Sequence, residues 1–234
     1  MHNLSFLSFL LILLNINFAF GSSLNFLPHT QEILVDSQKI NNFKELYNYP
    51  DVETQEKMPN KTFGHYNNFE GKVDILQYKI SSAQNLVNLF TDGVCDCIAV
   101  SCWDPSSKVT ILYHVSKMEL RENTETIFKK KLIEALKVKG KLEDFSKLNI
   151  NLISNFWTKD LCDVIETLRS EDLPIKGIRA PDSSVVYDPV KNKTSIYFTT
   201  EEQKELFHKR GNSSYRVAID SENGNLFAER IFQN

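Results

Sequence analysis

The stretch from Thr91 to His114, TDGVCDCIAVSCWDPSSKVTILYH, constrains this chain more than any other. Two short apolar runs, Ile98–Trp103 and Val109–Tyr113, carry the β-branched and aromatic residues of buried strands. Between them, Asp104-Pro-Ser-Ser-Lys108 is turn chemistry: proline presets φ, and the Asp and Ser side chains bond nearby backbone groups. A hairpin is expected, with the start of its first strand beside the end of its second. Cys97 stands at that start and His114 at that end. A thiol held beside an imidazole is the minimal cysteine nucleophile with its base.

The rest of the chain reads as a mixture of strands and helices. Val73–Ile80 alternates and predicts a strand leading toward Thr91. After His114, Asn123 or Thr124 is placed to cap a helix whose face is Ile127, Phe128, Leu132, Ala135 and Leu136, and Gly140 stops it. Its Lys129-Lys-Lys131 run is a solvated face. A strand is expected over 148–153, a helix over 159–170, and strands over 175–179, 184–187 and 194–198. Tyr215–Asp220 and Leu226–Phe232 flank a Ser-Glu-Asn-Gly224 turn, a strong hairpin signal. The fold class is thus α+β, with mixed or antiparallel sheets arranged like a sandwich and flanked by helices.

Three segments are expected. Residues 1–21 read as a secretory signal, apolar from Leu4 to Leu14 and ending in Ala19-Phe-Gly21, although Met1-His-Asn3 has no Lys or Arg. The mature chain is then secreted or periplasmic, with no stable membrane association. Residues 22–71 are polar and weakly patterned, with a short helix over 42–47, and His29 and His65 lie there as surface histidines. Residues 72–234 form the main domain with its C-terminal hairpin. The net charge of −3 gives no polyelectrolyte character, so nucleic acid is not an expected partner. No cofactor motif and no metal-type cysteine spacing appears.

In an exported chain, four cysteines first suggest two disulfides. Cys95, Cys97 and Cys102 crowd into eight residues, however, and a Cys-x-Cys bridge closes only a small, strained loop. Cys102 and Cys162 fit as buried thiols of the core. Cys95 and Cys97 are two apart, so an extended segment would turn both toward His114. That leaves Cys95 as an alternative nucleophile or as a redox partner of Cys97.

The spacing resembles that of the CheD-type chemoreceptor glutamine deamidases. Thr91 lies six residues before Cys97, Asp104-Pro105 seven and eight after it, and His114 seventeen after it. The layout over roughly residues 72–200 is similar too. Where that family has Leu-Gly-Ser before its cysteine, this chain has Gly93-Val-Cys-Asp96. The resemblance implies a CheD-like fold in which Cys97 is the nucleophile, His114 its base and Thr91 the group orienting the imidazole. The turn with Gly93 and Asp96 supplies candidate oxyanion donors. The same Cys–His plan is similar to deamidase toxins of the cytotoxic necrotizing factor type.

The expected function is therefore an exported cysteine hydrolase of linear amides. It would convert a protein glutamine to glutamate, releasing ammonia, as an effector on a host protein. Two other readings stand beside it: a secreted, non-catalytic binding or structural protein with disulfides, and an N-terminal asparagine amidase.

Overall fold

The structure, a computed structural model, describes residues 30–35, 49–52, 70–116, 125–155, 157–180, 183–188, 193–198, 200–202, 204–205 and 213–232. The expected leader over 1–21, the helix over 42–47, His29, His65 and the cap at Asn123 or Thr124 lie outside the described residues. Residues 1–32 and 187–195 cluster as one compact unit, and 33–186 and 196–234 as another. Of the first, the described parts are short strand segments.

In chain order the strands are β1 (Thr30–Val35), β2 (Tyr78–Ser81), β3 (Leu89–Val94), β4 (Ile98–Asp104) and β5 (Val109–Val115). The helix α1 (Glu125–Ile133) follows and continues as a π-helical turn over Glu134–Lys139. Then come β6 (Asn149–Ser154), β7 (Trp157–Thr158), α2 (Lys159–Ser170) and β8 (Ile175–Arg179). The last strands are β9 (Ser183–Asp188), β10 (Lys193–Phe198), β11 (Ser213–Ile219) and β12 (Leu226–Phe232). The architecture is α+β. Its second unit holds a mixed five-stranded sheet in the order β2-β5-β4-β6-β8 and an antiparallel three-stranded sheet in the order β12-β11-β3.

The β4–β5 hairpin forms where the sequence placed it. The Asp104 carboxylate accepts from the Ser106 amide at 2.9 Å and from the Ser107 hydroxyl at 2.6 Å, which folds the turn back on itself. Burial pushes that carboxyl up, but hydrogen bonds from Ser107 and Ser106 outweigh it and leave it below its ordinary value. The register sets Ile98 opposite Val115 and Ala99 opposite His114.

Because side chains alternate along a strand, β4 and β5 serve two different cores. Ile98, Val100 and Cys102 of β4 and Ile111, Tyr113 and Val115 of β5 pack with Phe128 and Leu132 of α1 and with Leu161, Ile165 and Leu168 of α2. On the other face, Cys97, Ala99 and Leu112 pack with Leu89 and Val94 of β3, Tyr215, Val217 and Ile219 of β11, and Leu226 and Ala228 of β12. The sheet is thus a partition between a helix-covered core and an inter-sheet core.

Helix α2 has the expected bounds. The hydroxyl of Thr158 accepts from the Leu161 amide at 3.2 Å, capping it, and its apolar residues fall on one stripe. Helix α1 departs in one respect, since Ile127 is exposed while Phe128, Leu132, Ala135 and Leu136 are buried. Regular strand pairing of the expected Val73–Ile80 run begins only at Tyr78, because residues 74–77 turn and Leu76 has a φ of 67°. In the β11–β12 hairpin Gly224 sits at φ +77°, and an added Cβ would lie 2.3 Å from the Trp103 ring, so both backbone and packing demand glycine.

Three strands were not expected. One is β1, inside the segment read as weakly patterned, and another is the two-residue β7 just before α2. The third is β3, where Asp92-Gly93 reads as a turn. Gly93 takes a φ of +71°, and the pairing shifts register between Tyr215↔Val94 and Val217↔Thr91. A strand partner more than a hundred residues away overrides the local turn signal.

Candidate active site

The site is built where the two sheets face each other, at the end where β4 begins and β5 and β6 finish. His114 is the sixth residue of β5 and lies on the face of Leu112, turned away from the helices. Its backbone is tied to the preceding loop: its amide donates to the Gln77 carbonyl at 3.0 Å, and its carbonyl accepts from the Leu76 amide at 2.9 Å. Thr91 reaches the same ring from β3, in the opposite sheet. Its Oγ1 lies 2.7 Å from His114 Nδ1 and 2.7 Å from the Val73 carbonyl oxygen.

These two distances fix the tautomer. A carbonyl only accepts, so the single hydroxyl proton of Thr91 is donated to Val73. The hydroxyl oxygen then accepts from Nδ1, which must carry the imidazole proton. In the neutral ring this leaves Nε2 unprotonated, with its lone pair directed into the inter-sheet layer. Nε2 is buried and has no hydrogen-bond partner. An unpartnered buried acceptor costs about 1–3 kcal/mol, a cost that a chemical role would explain.

Burial also sets the charge of this ring. It holds the His114 pKa down to about 4 from 6.5, against an upward pull from Asp74 and then Asp92. The imidazole is therefore neutral at pH 7 and able to take a proton. Asp92 is itself held by Arg216 at 2.6 Å.

Cys97 stands one residue before β4, buried in the inter-sheet cluster with Ala99, the cross-strand partner of His114. On one face of an antiparallel pair such diagonal neighbours lie about 7–8 Å apart at their backbones, within reach of a long ring. Residues 95–97 form a bend, so Cys95 does not share the position of Cys97. The Cys95 side chain is hydrogen-bonded to Ser214 and is half-buried. Burial and then Asp96 push its thiol up. Cys102 and Cys162 lie in the helix-side core, and burial raises the Cys102 thiol to about 12. All four cysteines are thiols, outside any disulfide.

The turn differs from the expected oxyanion loop. Gly93 belongs to β3 and is exposed, and its carbonyl accepts from the Cys95 amide at 2.8 Å, which consumes that donor. Asp96 is exposed, and among the described residues its amide makes no such backbone bond.

Sequence reasoning did not find the polar groups around this end. Asn155, just beyond β6, is buried; its Nδ2 donates to the Ser213 carbonyl at 2.8 Å, and its Oδ1 accepts from Arg230 at 3.4 Å. Arg230 also donates through Nε to Ser213 Oγ at 3.0 Å and lies over the Tyr215 ring. Burial raises the Tyr215 hydroxyl, Arg230 and then Arg179 lower it, and Asp51 raises it. The only local signal was polar residues at strand ends, which is the ordinary place for them. A scan against protein-family models finds no match to this chain, and a search of the curated proteins finds none either.

Proposed function

We propose that the chain is a cysteine-dependent protein-glutamine deamidase with Cys97 as nucleophile, His114 as proton carrier and Thr91 as the group that orients the imidazole. The observation that carries this reading is the Val73–Thr91–His114 hydrogen-bond chain, which leaves a bare Nε2 on the sheet face that also carries Cys97. The resemblance to the CheD deamidases supports the same three roles and a CheD-like fold.

In the reaction, His114 Nε2 takes the thiol proton as Sγ attacks the carboxamide carbon. The oxyanion that forms is held by backbone donors, for which we assign the Asp96 amide. The imidazolium then gives its proton to the leaving amine, ammonia departs and a thioester remains. Water attacks the thioester, its proton passes to Nε2 and on to the departing sulfur, and the side chain leaves as glutamate. Throughout, Thr91 Oγ1 keeps Nδ1 protonated and stabilises the transient positive ring. The leader expected over residues 1–21 would place this reaction outside the cytoplasm, on a host protein.

The test is to incubate the reduced chain with glutamine-bearing proteins and follow ammonia release together with the amide-to-acid mass increment. Release that disappears in Cys97→Ala is the expected result. Release that persists there, or a proteome-wide search with no Cys97-dependent glutamine-to-glutamate site, would remove the proposal.

A further inference from the structure

Cys97 and His114 are 7% and 3% exposed, so a substrate can reach them only if something covering the site gives way. Much of the cover is β-ladder. The segment Tyr49–Val52 is held differently. It runs along β8, the last strand of the five-stranded sheet, where the Pro50 carbonyl accepts from the Ile178 amide at 2.9 Å. Gly177 makes room for it, since an added Cβ would sit 3.1 Å from Val52 Cα and 3.2 Å from the Pro50 oxygen. Arg179 donates to the Val52 carbonyl at 3.0 Å and pairs with Asp51 at 3.4 Å. Val52 itself is buried in the inter-sheet cluster that contains Cys97.

The register brings this segment to the thiol end. Arg179 is the partner of Ile153, and Ile153 is the partner of Ala99, two residues from Cys97. From the other sheet, Tyr215 is opposite both Val94 and Arg230, and Asn155 and Ser213 fix the Arg230 guanidinium in place. Arg179, Arg230 and Asp51 all act electrostatically on Tyr215. Two guanidinium groups therefore act on one side chain, Tyr215, of the inter-sheet cluster that also holds Cys97, with a carboxylate of the chain's own N-terminal part drawn to one of them. That carboxylate is 72% exposed and belongs to a segment laid on a sheet edge, the place where extended peptides commonly bind.

We propose that Asp51 and Val52 occupy the seat of an extended acidic segment of the substrate, so that Arg179 and Arg230 select a glutamine flanked by carboxylates and the chain's own segment must be displaced for it to bind. The reading of Cys97 as nucleophile names the site, but the subsite is tested without relying on turnover. The probe is a pair of synthetic peptides with a central glutamine, one flanked by glutamates and one by lysines. The readout is the rate at which iodoacetamide labels Cys97 in the full reduced chain, followed by peptide mass mapping, with an unlabelled Cys102 showing that the chain stays folded.

The acidic peptide should slow Cys97 labelling by about fivefold or more relative to the lysine peptide, the size of effect that a few rim charges give. Asp51→Asn should speed labelling without peptide and let the acidic peptide protect at lower concentration. Arg230→Gln should erase the difference between the peptides, and Arg179→Gln should do so in part should the Arg230 variant fail to fold. Equal protection by the two peptides, or Asp51→Asn labelling like the parent, overturns the subsite. Selective protection without ammonia release from either peptide removes the deamidase reading and keeps the subsite; equal release without selective protection does the reverse.

Discussion

The two faces of the β4–β5 hairpin use the same two strands for opposite purposes. Toward the helices, Val100, Cys102, Ile111 and Tyr113 make a closed apolar core, with polar residues such as Asp104 and Ser154 only at the strand ends. Toward the second sheet, the same strands present Cys97, Thr110 and His114 among Ala99 and Leu112. Among the described residues, the buried polar side-chain atoms without a partner are Trp103 Nε1, Thr110 Oγ1 and His114 Nε2, and by alternation all three belong to this second face. The contrast between Cys102 and Cys97 sharpens the lesson. Two thiols five residues apart fall on opposite faces; one is inert core, and the other shares its face with a neutral base. Which face a residue takes decides its chemistry more than its identity does.

The largest expected effect breaks this comparison directly. Cys97→Ala and His114→Ala should each lower ammonia release by roughly a thousandfold or more. Cys102→Ala, on the other face, should leave turnover intact and cost about 1 kcal/mol of stability or slightly more. Steady-state assays beside urea melts separate the two outcomes.

Truncation on the helix side should show the reverse pattern. Phe128→Ala removes a fully buried ring that packs on Tyr113, and a loss of about 3–5 kcal/mol is expected. The urea midpoint should fall, while the rate per folded molecule stays unchanged.

A third effect belongs to the inter-sheet face alone. Folding lowers the His114 pKa from 6.5 to about 4, so between those values the unfolded chain binds the extra proton. Its contribution to stability is therefore complete above pH 6.5, is lost as the pH falls toward 4 and levels off below that. The gap corresponds to about 3 kcal/mol. Urea melts at pH 7 and pH 4 should show this loss in the parent chain and much less of it in His114→Gln.

How much of this could be read from the sequence differs between the faces as well. The β4–β5 hairpin, α2 and the β11–β12 hairpin follow from local signals: Asp104-Pro105, the Thr158 cap and Asn223-Gly224. The contact of Thr91 with His114, and the place of Cys97 on the same sheet face, were legible through their spacing. What was not legible depends on distant partners. Thr91 is presented by β3, whose Asp92-Gly93 looks like a turn and becomes strand only by pairing with β11. The C-terminal hairpin, expected from its own turn signal, builds the sheet that carries Thr91. Asn155, Arg179 and Arg230 are ordinary strand-end residues until the register brings them together. Ile127 misled because one apolar position at helical spacing does not show how far the covered stripe extends.

A smaller effect probes the link between the sheets. Thr91→Val keeps the shape and removes the oxygen that accepts from Nδ1, so turnover should fall by about 10–100-fold while Thr91→Ser retains most of it. Equal rates in the two variants would make Thr91 a packing residue only.

The most direct test is nitrogen-15 NMR of the His114 ring in the reduced protein across the pH range. A neutral ring at pH 7 with the proton on Nδ1 and a bare Nε2, titrating at about 4, is the expected result. A proton on Nε2 at pH 7, or titration near 6.5, would contradict it, because the imidazole would not then be the base presented to Cys97.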